Sequence, residues 1–291
     1  MKKFGLHLLI TLFILFLASL LLDVAYTKVL STSSSRNKVE HVMHSKNKNY
    51  DVVIMGTSRA NNHFVTELFE KKGLKAFNYG MSGSHFFETD LMLKKMLDNQ
   101  FKIKTLLLEA DLSVCNENRD EGTTARFMPY MHGDATITEH IKSQEDYFQL
   151  YYLPFYRYIK FDNKIGLREV LKVLKNEPTN VLHNKGYYPL LTTKSGKMKN
   201  DISTLKPIRN RYLEDVKKLC AQNNIQLILV MTPMCENTKG LDYFEKVNQL
   251  YPEIHNFENV VHDDNYFSSC GHLNDAGARM YTQFIIKELK L

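Results

Sequence analysis

The sequence predicts an α/β protein: a doubly wound, flavodoxin-like parallel sheet of about five strands with helices on both faces, a helical and aromatic insertion, and an N-terminal transmembrane helix. Three observations carry that expectation. Short apolar runs alternate with segments of helical period, one long aromatic-rich stretch interrupts the alternation, and the chain opens on a nearly unbroken apolar segment.

The opening segment starts Met1-Lys2-Lys3, continues apolar from Phe4 to Leu22 and ends at Asp23. About 18 to 20 apolar residues at 1.5 Å each match the roughly 30 Å hydrocarbon core of a bilayer. Lys2 and Lys3 should stay cytoplasmic, which places the remainder on the exported side. A cleaved signal peptide shares the charged start and apolar centre, but Leu20-Leu21-Leu22-Asp23-Val24-Ala25-Tyr26 has no clean small-x-small site. Residues 1–26 are therefore read as an anchor. Residues 27–49, rich in Ser, Lys and Asn and without apolar period, are read as a tether, and 50–291 as one α/β domain.

At 291 residues with 44% hydrophobic side chains, the chain has material for a substantial core. Its 38 basic and 32 acidic side chains leave a formal charge of +6, spread along the chain rather than gathered in a run. That pattern fits solubility or attraction to an acidic surface and argues against a nucleic-acid partner. Cys115, Cys220, Cys235 and Cys270 form no CxxC pair. Cys220 falls on the apolar face of an amphipathic helix and reads as a core thiol; among the other three, one disulfide and free thiols are both open. Scattered histidines without a dense His/Asp/Glu cluster predict no catalytic metal, and no cofactor is expected.

Within the domain, strands are expected at 51–55, 75–78, 105–109, 226–231 and, more weakly, 259–261. Helical periodicity fills about 61–72, 84–99, 205–223, 239–250 and 274–289. Residues 115–204 are far longer than a crossover needs and contain the aromatic run Tyr147 to Tyr158. An insertion leaving the sheet at its carboxyl edge either caps a ligand site or packs its aromatics against the main domain.

Three segments at that edge carry chemistry-bearing residues. Strand one runs into Met55-Gly56-Thr57-Ser58-Arg59 and then a helix, presenting Ser58 either as a nucleophile near helix N–H groups or as a helix cap. Asn78-Tyr79-Gly80-Met81-Ser82-Gly83-Ser84 follows strand two, where a glycine N–H can approach a reacting group. Gly271-His272-Leu273-Asn274 precedes the last helix; Asn274 reads as its N-cap, leaving His272 in the loop before it. Arg59 either binds an anionic substrate group or pairs with a nearby acid, and His85 and His63 start helices near the same edge.

Taken together, Gly-x-Ser, Asn-x-Gly-x-x-Gly and Gly-His-Leu-Asn-x-x-Gly-Ala occur in the order of the blocks of the SGNH (GDSL-like) hydrolase superfamily, which the sequence resembles over about 50–110 and 225–291. Its anchored, export-side members include acyl-transfer proteins of cell-wall and polysaccharide modification. The resemblance implies Ser58 as nucleophile, the N–H groups of Ser58 and Gly83 as oxyanion donors, and His272 as general base. Arg59, Asn78, His85 and Asp111 are candidate substrate-binding residues.

Two positions depart from the family pattern. Ser269 stands where an aspartate three residues before the histidine is usual, so Asp263 or Asp264 is the candidate for orienting His272. After strand three the chain has Leu108-Glu109-Ala110-Asp111 and no asparagine to donate to an oxyanion. Asp111 is then expected to orient Arg59, His85 or a sugar hydroxyl, with Asn116 a distant substitute. The expected function is a serine-dependent O-acyl esterase or acyltransferase acting on an exported or cell-envelope glycan, in contact with an acyl donor and with polysaccharide machinery. The location expected is single-pass membrane, with the C-terminal domain periplasmic or at the cell surface. The alternative is a catalytically silent SGNH-like glycan-binding or assembly protein.

Overall fold

A computed structural model describes residues 2–192 and 198–291. The chain divides into two compact units, one of Met1–His41 with Thr124–Thr179 and one of Val42–Thr123 with Asn180–Leu291.

The second unit is built on five parallel strands: β1 (Asn49–Met55), β2 (Ala76–Asn78), β3 (Lys102–Glu109), β4 (Gln226–Met231) and β5 (His255–Asn256). Their order is β2-β1-β3-β4-β5, the flavodoxin-like arrangement with its switch point between β1 and β3. Register follows from Val52 facing Ala76 and Thr105, Thr105 facing Gln226, and Val230 facing His255. β1 and β3 are buried on both faces over their last residues, which explains their continuous rather than alternating apolar sequences.

Helices cover the sheet. Residues Val52, Ile54, Leu107, Ile228 and Val230 share a core with Phe64, Phe69, Tyr281, Ile285 and Ile286. These bring in helix α2 (Ser58–His63), the turn Thr66–Glu70 and the C-terminal helix Asp275–Glu288. Side-chain alternation along the strands sends Val53, Leu106 and Leu108 to the opposite face. The other pair of helices, α3 (Phe86–Asp98) and α4 (Arg211–Gln222), packs together with the Phe87 and Tyr212 rings 5.2 Å apart.

The predicted fold class is therefore observed, with local corrections. The last strand lies at 255–256 rather than 259–261, because Val261 turns into the core beneath the C-terminal helix instead of extending the ladder. The helix predicted over 61–72 is broken at Phe64-Val65, where the Thr282 hydroxyl accepts the Val65 N–H at 3.0 Å. Residues 180–192 and 198–204, counted with the insertion, belong to the sheet unit, where Tyr187 and Met198 enter the core.

In the first unit the apolar segment is one helix, α1 (Lys2–Thr32), of 31 residues, long and apolar enough to cross a membrane. It runs past the expected end of the anchor because side chains of the insertion hold its later turns. The Asp23 carboxylate accepts from Arg157 at 2.7 Å and from the Phe155 N–H at 2.8 Å, and Thr27 bonds Arg157 (2.9 Å) and the Tyr158 hydroxyl (2.6 Å). The segment expected to be a tether is ordered as well. Glu40 accepts from Ser33 Oγ (2.6 Å), the Arg36 N–H (2.9 Å) and Asn37 Nδ2 (2.7 Å), and Lys38–Met43 is helical. Polar capping rather than apolar period organises it, which a search for period overlooks.

Candidate active site

The turn that carries Ser58 is set by its neighbours. Gly56 has φ +136°, and a Cβ there would stand 2.7 Å from Glu109 Oε2. That same oxygen accepts the Thr57 N–H at 2.7 Å. Thr57 is the N-cap of α2, its hydroxyl accepting the Arg59 N–H at 3.1 Å. Ser58 is thereby released from capping, and its Oγ donates to His272 Nε2 at 2.7 Å. Between the two open readings of Ser58, the hydroxyl is directed to the histidine and the cap is its neighbour.

The second loop is laced to the first. The Tyr79 N–H donates to Ile54 O (2.7 Å), and the Met81 N–H and Ser84 Oγ both donate to Gly56 O (2.9 Å each). Asn78 is fully buried, with Nδ2 donating to Ala60 O at 2.8 Å and Oδ1 accepting the Gly80 N–H at 2.9 Å. A Cβ on Gly80 would meet Asn61 N at 2.6 Å, so only glycine permits this approach of loop to helix. Asn78 and Gly80 thus fasten the loop, and Asn78 is a structural tie rather than a substrate ligand. Gly83, at φ +90°, lines the same cleft as Ser58. Among the described residues, the N–H groups of Ser58 and Gly83 donate to no protein acceptor.

The third loop is a tight antiparallel pair, Phe267–Ser269 with His272–Leu273, turned at Gly271 (φ +88°). A Cys235–Cys270 disulfide ties it to the loop after β4, resolving the cysteine alternatives, while Cys220 is a buried free thiol. The Leu273 N–H donates to buried His63 Nε2 at 3.0 Å, and Asn274 caps the last helix by accepting the Gly277 N–H at 3.0 Å, as expected.

With Nε2 accepting from Ser58, His272 carries its proton on Nδ1, which faces the Ser269 hydroxyl at 3.4 Å. The expected orienting acids lie elsewhere. Asp263 accepts the Asn265 N–H at 2.8 Å and caps a short turn, and Asp264 makes no contact with the imidazole. Asp263 is spent on the turn and Asp264 Oδ1 is buried without a hydrogen-bond partner, so a neutral hydroxyl occupies the place of the acid.

Beneath the cleft lies a buried charge cluster. Arg59 donates through Nε to Thr232 Oγ1 (2.7 Å), through Nη2 to the carbonyls of Thr232 and Pro233, and pairs with Asp111 Oδ2 at 3.2 Å. Asp111 also accepts from the N–H groups of Leu112 (2.5 Å) and Thr232 (3.1 Å). Burial opposes the Asp111 charge, but Arg59 and these donors outweigh it and hold its carboxyl below the usual range. Glu109 is pushed well above its ordinary value by burial and by Asp111, which favours its neutral form beside the Arg59–Asp111 ion pair. Arg59 and Asp111, candidate substrate ligands from sequence, are consumed by each other. Burial and the Arg59 charge depress the His272 pKa below 6.5, against a smaller opposing pull from Asp111. That shift favours the unprotonated imidazole at neutral pH.

These elements enclose an open cleft of about 240 Å³ lined by Ser58, Gly83, His85, Ser113, Asn200 and His272 among others. His85 precedes α3, and its Nδ1 has no hydrogen-bond partner. Burial lowers the His85 pKa, and Asp120 opposes that shift. Sequence reasoning missed Ser113 and Asn200. Ser113 lies in a single 3-10 turn after β3, and Asn200 opens a two-residue strand that pairs with Thr238–Lys239, both too short for a sequence pattern to mark. Asn116 does not line the cleft. Among the described residues no three His, Cys, Asp or Glu side chains gather as metal ligands would.

The fold and site define an α/β protein with a serine–histidine pair at the carboxyl edge of a parallel sheet. The sequence matches no family profile and no curated protein. A solved structure described as a "putative platelet activating factor" from Streptococcus pneumonia aligns over 99% of each chain, with a TM-score of 0.40 and 11% identity. Similarity at that level carries no argument about activity.

Proposed function

We propose that this chain is a serine-dependent O-acyl esterase or acyltransferase of the SGNH type, anchored in a membrane by α1 and acting on an exported or cell-envelope glycan. The observation that carries the reading is the 2.7 Å hydrogen bond from Ser58 Oγ to His272 Nε2, beside two undonated N–H groups. Ser58 Oγ attacks the acyl carbonyl as His272 Nε2 takes its proton, and the oxyanion forms against the Ser58 and Gly83 N–H groups. Collapse expels the alcohol, which receives the proton from His272. Water or a second sugar hydroxyl then repeats the sequence on the acyl-enzyme, and that choice separates esterase from transferase.

The small cleft suits a short acyl group, and the His85, Ser113 and Asn200 side chains offer hydrogen bonds to a hydroxyl-rich alcohol. The Cys235–Cys270 bond supports an extracytoplasmic domain, because disulfides persist in oxidising compartments. A fluorophosphonate probe is expected to label the full-length protein and to leave Ser58→Ala unlabelled. Absence of label on the wild type at neutral pH would refute the assignment.

The pH dependence follows from His272. Its pKa lies below 6.5, so acylation is flat through neutrality and falls as pH drops through that lowered value, where imidazolium cannot accept the serine proton. Ser269→Asp places a carboxylate on Nδ1. It is expected to raise the acylation rate about tenfold or more. It also moves the acid limb to higher pH, since a neighbouring anion favours the protonated ring. Rate–pH profiles of the two proteins test both.

One observation favours a second reading, a catalytically silent glycan-binding or assembly protein: the orienting acid is replaced by a hydroxyl at 3.4 Å. That reading predicts glycan binding unaffected by Ser58→Ala and no acyl transfer even in Ser269→Asp.

A further inference from the structure

The unit of Met1–His41 with Thr124–Thr179 leaves an unusual share of its large apolar side chains in the open. Phe148, Tyr152 and Ile159 are 61%, 59% and 66% exposed, and Leu153 lies beside them. The helix Leu167–Leu174 turns Val170 inward while Leu167, Leu171 and Leu174, spaced four and three apart, stand outward on one ridge. Scattered exposed apolar residues are ordinary, but the Phe148 and Tyr152 rings stand 5.2 Å apart with Leu153 next in sequence, and an exposed apolar group of this kind marks a surface that something covers.

Geometry within the unit says what covers it. Phe4 to Leu22 of α1 is about 28 Å of apolar helix at 1.5 Å per residue, so Asp23 marks the edge of the hydrocarbon it spans. At that level the insertion is fastened to α1: Asp23 bonds Arg157 and the Phe155 N–H, and the Tyr26 ring meets Phe155 at 4.9 Å and Tyr158 at 5.3 Å. Tyr152 and Leu153 are within three residues of the atom that bonds Asp23, and Ile159 is four residues beyond it. They stand where the membrane–water interface must be, the zone in which aromatic side chains concentrate. The Leu167–Leu174 helix packs against α1 farther along, tied by Arg36, which follows the end of α1, to Glu169 at 2.7 Å.

We propose that the aromatic-rich face of the insertion formed by Phe148, Tyr152, Leu153 and Ile159 lies in the interfacial layer of the same bilayer that α1 spans, a second membrane contact besides the anchor. The proposal rests on the reading of α1 as an anchor. The unit then holds the membrane at two places, a spanning helix and a surface collar, joined by the buried Asp23–Arg157 pair. A protein partner is the competing occupant, and the test separates the two.

The chain contains no tryptophan, so a single introduced indole reports its own surroundings. Full-length Tyr152→Trp and Ile159→Trp proteins are placed in vesicles of phosphatidylcholine and phosphatidylglycerol, with and without acyl-chain-brominated phosphatidylcholine. Both indoles are expected to emit to the blue of their position in the urea-unfolded protein and to lose about half their intensity to the bromine atoms. Carbonate extraction of the same vesicles reports the anchor separately: protein released into the supernatant refutes α1 as an anchor. An anchored protein in which either indole emits as in water and ignores the bromine overturns the collar while leaving the anchor intact.

Discussion

Ser58→Ala is expected to lower kcat/KM for a small activated acyl ester by about four orders of magnitude, and His272→Ala by a comparable factor. The two side chains act as one device joined by a 2.7 Å hydrogen bond, so the double variant should be little worse than either single one. The residue left in Ser58→Ala retains the backbone N–H groups that hold an oxyanion, and a small background rate over water should survive. Folding controls are simple, because Ser58 Oγ caps nothing and the Thr57 cap stays in place. Steady-state hydrolysis by the detergent-solubilised full-length chain measures all three. A wild-type rate no greater than that of Ser58→Ala would remove the enzymatic reading and leave the silent one.

Arg59→Met should destabilise the protein by about 3 to 5 kcal/mol, the usual cost of leaving one partner of a buried ion pair uncompensated. The guanidinium is 2% exposed and neutralises Asp111, itself fully buried. Its loss strands an anion beside Glu109 and frees the carbonyls of Thr232 and Pro233. For a chain of this length the unfolding midpoint should fall by about 10 °C. Adding Asp111→Asn should recover part of the loss, because the orphaned charge disappears while the acceptor for the Leu112 and Thr232 N–H groups remains. Thermal unfolding of the single and double variants checks this. A substrate-binding arginine would behave otherwise, weakening affinity with little change in the midpoint.

The scaffold was largely legible because it is written in local terms. β1, β3 and β4 are continuous apolar runs, glycines mark the turns after β1 and β2, and Asn274 announces the last helix. Where tertiary contacts override local pattern, the reading failed. Val260-Val261 resembles a strand but serves as core packing, and the Ser- and Asn-rich segment after α1 folds around the Glu40 carboxylate. The pairing of Arg59 with an acid, and Asp111 as one that could orient it, is by contrast among the expected readings, and the β1–β3 pairing brings the two together at 3.2 Å.

The sequence by itself determined the parallel sheet, the apolar N-terminal helix and the three loops that hold Ser58, Gly83 and His272, since each depends on periodicity, caps and glycines within about a dozen residues. Only the tertiary structure decided what His272 leans on, where the Arg59 charge goes and which cysteines join. Those outcomes depend on distances between groups up to 214 positions apart, and hydrogen bonds and ion pairs fall off within a few ångströms that no local pattern records.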